Sequence, residues 1–138
     1  MATFEEEVGL FGATQPNSAD INDIERGRRL LEQLSTDDTL RRVSILSRLG
    51  SFYLENKKLD PWESVGYAGD CYAKVVSLAR EHDNAQWESL GLSGVANVLA
   101  KQYELGRNPE DFAKAQVAFR ELIEICDTFG MLDEARAT

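Results

Sequence analysis

Two stretches of this chain carry the same apolar pattern, and that repetition constrains the fold more than any single residue does. Leu40, Leu49, Gly50 and Tyr53 recur as Leu90, Leu99, Ala100 and Tyr103, each 50 positions later. Ala68, Tyr72, Val75, Leu78 and Ala79 recur as Ala115, Phe119, Leu122, Ile125 and Cys126, each 47 positions later. The smaller second offset fits a loop shortened by three residues around Asn108-Pro109. Within each stretch the apolar residues fall at helical spacing. A repeated helix pair buries its apolar face only by stacking on a neighbour, so the pattern predicts an all-α stack of helix hairpins.

Punctuation along the chain places the helices. Ser18 or Asp20 caps a first helix at about 20–34, with Ile21, Ile24, Leu30, Leu31 and Leu34 as its stripe. A second runs at about 37–57. Asp60-Pro61, a cap followed by proline at the first helical position, starts a third at about 61–82. A break at His82-Asp83-Asn84 leads to a fourth at about 84–106, and Gly106-Arg107-Asn108-Pro109 separates it from a fifth at about 109–129. The helix pairs are therefore about 37–82 and 84–129. Residues 131–138 read as the first turns of a further, short C-terminal helix. Gly50, Gly66, Gly69, Gly91 and Gly94 sit inside helical patterns, where each costs up to about 1 kcal/mol relative to Ala. They predict close helix–helix approach. Trp62 and Trp87 lie on apolar stripes and are expected as core anchors.

Residues 1–19 read as a flexible N-terminal tail ahead of one helical domain at 20–138. Gly9 and Gly12, and then Pro16, interrupt any helix there. Phe4, Val8, Leu10 and Phe11 are nevertheless apolar and lie around Glu5, Glu6 and Glu7. Besides a loosely packed terminus, that composition fits a short linear motif or a pseudo-ligand for the protein's own groove.

The 138 residues suffice for one core, and 43% hydrophobic with 28% charged residues marks a folding chain. A net charge of −9 disfavours contact with nucleic-acid phosphates. The charge is uneven: residues 26–48 hold Arg26, Arg28, Arg29, Arg41, Arg42 and Arg48 against Glu32, Asp37 and Asp38. A solvated helix face accounts for this, and so does a docking patch for an acidic peptide. No apolar run approaches the length of a membrane span. The acidic start MATFEEEVGL lacks the basic region of a secretory signal, which makes a cytoplasmic location the expectation. Cys71 and Cys126 have no metal-ligand spacing and read as buried free thiols. His82 is the single histidine, and it stands at a helix end beside Asp83 with no nucleophile motif. These features predict no enzyme, no metal and no cofactor.

Leu49-Gly50-x-x-Tyr53 with Ala68-x-x-x-Tyr72, and Leu99-Ala100-x-x-Tyr103 with Ala115-x-x-x-Phe119, resemble the tetratricopeptide repeat over about residues 37–138. The units are longer than the family's 34-residue norm and lack its consensus tryptophan, so the resemblance is to a divergent, long-helix type. It implies a right-handed stack of antiparallel hairpins, about five helices plus the short C-terminal one, whose first helices line a concave groove. Groove positions matched onto the motif are Ser47, Ser51, Leu54, Asn97, Lys101 and Glu104, with Arg48 close by. Asn97 and Lys101 would bind a peptide carboxylate or backbone. The implied function is a protein–protein interaction scaffold or adaptor that takes a peptide, a helix or a partner subunit, and binds no nucleic acid or membrane. Two other readings stay open: a structural subunit that pairs with a second copy, and an acidic regulator that occupies a basic site on a target. With only two full pairs, an apolar end face is expected near residues 119–132.

Overall fold

A computed structural model describes residues 3–128, and every element in it is helical. The order is α1 (Phe4–Ala13), a single 3-10 turn (Pro16–Ser18), α2 (Ile21–Gln33), α3 (Thr39–Glu55), α4 (Pro61–Glu81), α5 (Ala85–Gly106) and α6 (Pro109–Thr128). The short helix expected at 131–138 lies outside the described residues.

Side-chain caps start these helices. Asp20 and Asp23 form a reciprocal capping box on α2, at 3.0 and 2.9 Å. Asp38, Asp60 and Asn84 accept the orphan N–H groups of Arg41, Trp62 and Trp87 at the starts of α3, α4 and α5. Asn108 accepts from Glu110 just before α6. Each such cap is worth about 1 kcal/mol, and together they fix the helix register in the chain. The turns between α4 and α5 and between α5 and α6 pass through left-handed backbone at Asp83 and Arg107, φ 49° and 55°.

Each helix packs mainly on the next in sequence, and α3 also touches α5 across α4. That is an all-α stack, as the repeat predicts. The centre is a wedge at Tyr72 of α4. A Cβ at Gly50 of α3 would lie 2.8 Å from the Tyr72 ring, and one at Gly94 of α5 would fall against the same ring even closer. Both helices approach α4 because these positions carry no side chain. Gly91 makes a similar approach to Val76. Gly66 faces open space and Gly69 makes ordinary contact with Val98, so close approach holds for three of the five expected glycines.

Residues 4–13 correct the expectation of a flexible tail with no helix. Thr3 caps α1 by accepting from Glu6 N–H at 3.2 Å, and Glu5, Glu6 and Glu7 sit in the first turn, where acids complement the helix dipole. Phe11 then enters the core at 2% exposure, its ring 4.8 Å from that of Phe52. A Cβ at Gly27 of α2 would lie 2.7 Å from Phe11, so α2 is shaped around that ring. Gly9 and Gly12 meet nothing and are tolerated on the open side.

Two further expectations change. Trp62 is 55% exposed, with the rim of its indole against Gly106 at the end of α5. The equivalent leucines Leu40 and Leu90 are also exposed, while Trp87 is partly buried against the core. At the far end α6 packs on α5 through the small residues Ala115 and Ala118. Phe112, Phe119 and Ile123, at helical spacing along a neighbouring side of α6, stay exposed among the described residues.

Candidate partner-binding cleft

The side of the stack formed by α3 and α5 holds a cleft of about 370 Å³. From α3 it is lined by Ser44, Ser47, Arg48 and Ser51, and from α5 by Leu90, Ser93, Gly94 and Asn97. Tyr72 of α4 also lines it, and Pro16 contributes from the turn after α1. Helical spacing explains the lining: Ser44, Ser47 and Ser51 stand one and two turns apart on α3, and Ser93 and Asn97 one turn apart on α5.

Hydrogen bonds order this surface. Ser47 Oγ donates to the Val43 carbonyl at 2.8 Å, and Ser51 Oγ donates to the Ser47 carbonyl at 3.2 Å. Ser51 Oγ also lies 2.8 Å from the Tyr72 hydroxyl. Either oxygen can donate in that bond. Desolvation, opposed by the Ser51 bond, raises the Tyr72 hydroxyl above its usual range. Arg48 is not a free cation: Nε donates to the Phe11 carbonyl at 3.0 Å and Nη2 to the Thr14 carbonyl at 2.8 Å.

Four of the seven expected groove residues, Ser47, Arg48, Ser51 and Asn97, thus meet in one cleft. Leu54, Lys101 and Glu104 stand apart from it. Leu54 and Lys101 line a second cleft of about 510 Å³, among the end of α3, the α3–α4 loop and the start of α4. Lys101 pairs with exposed Glu104 at 3.6 Å, a solvent-exposed bond of small energetic value. Tyr53 and Ser64 also border this second cleft, and their hydroxyls are buried with no partner. Those oxygens are sealed from solvent, so they present nothing to a ligand in the cleft. Sequence matching missed Ser44, Ser93 and Tyr72. The serine stripe on α3 was the available signal for the first of these.

The remaining chemistry-bearing residues lie elsewhere. His82 is exposed at the end of α4, with Nε2 3.4 Å from Thr39 Oγ1 and its ring edge-on to Trp87. Both cysteines are free; Cys71 is buried and Cys126 half-buried. Burial pushes the Cys71 thiol up to about 11, which leaves it protonated and unreactive near neutrality. Among the described residues no group of three or more His, Cys, Asp or Glu is placed to hold a metal ion. No described helix is long and apolar enough to cross a membrane. Comparison of the chain with protein-family models, curated proteins and solved structures returns no match.

Proposed function

We propose that this chain is a non-catalytic interaction scaffold, tetratricopeptide-like in its stacking, that binds an extended peptide in the cleft between α3 and α5. The observation that carries the reading is the cleft's lining. Ser44, Ser47, Ser51, Ser93 and Asn97 line the cleft together with Tyr72, on two helices locked by the Gly50–Tyr72–Gly94 wedge. Neutral donors and acceptors on a preorganised frame suit a peptide backbone and small polar side chains. A cytoplasmic location, an absence of cofactors and indifference to nucleic acid belong to the same proposal.

Peptides selected from a displayed library on the full chain test it. Their binding should weaken at least roughly tenfold in Asn97→Arg, which fills the cleft, and stay unchanged in Lys101→Glu, which lies in the second cleft. A library that yields no binder, or binders indifferent to Asn97→Arg, rejects the proposal.

A second reading has its own observation, the exposed Phe112, Phe119 and Ile123 on α6. Exposed apolar side chains at the end of a stack suit a second copy or another subunit. Light scattering over a concentration series separates the two. A dimer that Ile123→Lys returns to monomer supports end-to-end pairing, and a monomer at every concentration removes it.

A further inference from the structure

Four of the six arginines in residues 26–48, Arg26, Arg29, Arg41 and Arg48, reach α1 or its C-cap, while Arg28 lies over the Tyr53 and Tyr67 rings and Arg42 donates to the Leu34 and Ser35 carbonyls. Glu5 Oε1 is 2.7 Å from Arg41 Nη1. Glu7 Oε2 is 3.5 Å from Arg26 Nε and 3.8 Å from Arg29 Nη2. The Arg41 guanidinium also stands 5.7 Å from the centre of the Phe4 ring. Arg48 donates to the carbonyls of Phe11 and Thr14 at the end of α1. Phe11 fills a slot made by Phe52, Leu49 and the bare backbone of Gly27.

α1 is held by arginines on its acids, by Arg48 on its last carbonyls, by Phe11 in its slot and by Phe4 and Val8 against the core. The helix has little strength of its own. Ten residues lie below the length at which an isolated helix is stable, and Gly9 and Gly12 weaken it further. It packs on α2, while the turn that follows packs on α3. The face beneath is the basic part of a chain whose net charge is −9, so acidic ligands are drawn to this part of it and repelled elsewhere.

We infer that α1 is the resident ligand of a docking face on α2 and α3, and that the external partner of this face is an acidic amphipathic helix with an aromatic anchor. Such a helix repeats the chemistry that α1 supplies and takes its place by exchange. The inference does not rest on the α3–α5 cleft reading, which Asn97→Arg tests separately.

The test uses a fluorescein-labelled synthetic peptide with the sequence of residues 3–15 and the full chain. In the wild-type chain, tethered α1 competes with the peptide at high effective concentration. In the double variant Glu5→Lys with Glu7→Lys, repulsion from Arg26, Arg29 and Arg41 releases α1 without touching the core. By fluorescence anisotropy the peptide should bind the double variant at least roughly tenfold more tightly than wild type. Added salt should weaken that binding, and a peptide carrying Phe11→Ala should not bind. Equal affinity for the two chains, or no binding to either, overturns the inference. Hydrogen exchange on the unmodified chain gives an independent answer. Amides of α1 should exchange many-fold faster than those of α3, and equal rates set by global unfolding would overturn it.

Discussion

At two places in the core of this molecule a buried aromatic ring lies against a glycine of a neighbouring helix, and the surroundings decide what the contact does. Tyr72 is caught between Gly50 and Gly94, so its ring joins three long helices at once. Phe11 meets Gly27 in the same manner, but it belongs to a ten-residue helix at the edge of the stack. Removing the first contact disturbs α3, α4 and α5 together. Removing the second disturbs chiefly the helix that carries the ring. The difference teaches that burial alone does not rank a contact: Phe11 at 2% and Tyr72 at 5% exposure are equally hidden, yet they tie together very different amounts of structure.

The sharpest way to break this comparison is Gly94→Ala. The new methyl would occupy space held by the Tyr72 ring, and Gly50 blocks the ring's retreat on the other side. Overpacking of this kind costs about 3 kcal/mol. Urea unfolding should show that loss, and a midpoint within error of wild type would mean that the centre is no tighter than the edge.

Alkaline pH probes the same core next. In the folded chain the Cys71 thiol keeps its proton until about pH 11, whereas in the unfolded chain it ionises from its ordinary value of 9.0. Between those values the unfolded state binds fewer protons, so stability falls as pH rises. Below that window the thiol contributes no pH dependence. Tyr53 and Tyr72, raised by burial as well, extend the loss upward. The Cys71 share amounts to about 2 kcal/mol. Unfolding measured across this range should show the decline, and Cys71→Ala should remove the part that begins near 9. Identical slopes in the two chains would locate the alkaline sensitivity elsewhere.

What was legible in the sequence followed the same division between centre and edge. Helix starts are local chemistry, so Asp20 and Asp60-Pro61 announced α2 and α4 directly, and Asn108-Pro109 marked the break before α6. Gly50, Gly91 and Gly94 announced close packing because a glycine inside a long helix is costly without such a reason. The helix at residues 4–13 was hidden, because Gly9 and Gly12 are local signals against it while the slot for Phe11 is assembled from α2 and α3. Periodicity also gives a helix face without saying where its neighbour ends. Asn97 and Lys101 share a face one turn apart, but α3 stops at Glu55. Lys101 therefore looks onto the α3–α4 loop instead of the serine stripe. For the same reason Trp62 and Leu40, on apolar stripes, end up largely in solvent.

The edge is tested by Phe11→Ala. If α1 is held as a local element, global stability falls by only about 1 kcal/mol, below the loss usual for a buried phenylalanine, because α1 lets go and the rest remains. Hydrogen exchange should show α1 amides unprotected and α3 to α5 amides nearly unchanged. A loss of about 4 kcal/mol, with protection falling throughout the chain, would place Phe11 in the same class as Tyr72 and dissolve the contrast.

Tyr72→Phe is the smallest and finest test, because it keeps the ring in its glycine wedge and removes only the hydroxyl. That hydroxyl is hydrogen-bonded to Ser51 Oγ at 2.8 Å, and Ser51 Oγ also reaches the Ser47 carbonyl. Loss of one such bond costs about 1 kcal/mol. Ser51 borders the cleft, where water can reach its freed hydroxyl, so the cost should fall at or below that figure. A double-mutant cycle with Ser51→Ala isolates the pair. Coupling of about 1 kcal/mol would mean that the hydroxyl chain helps hold the cleft wall to its floor. Zero coupling would leave packing, with the ring in its glycine wedge at its centre, as what fixes α4 between α3 and α5.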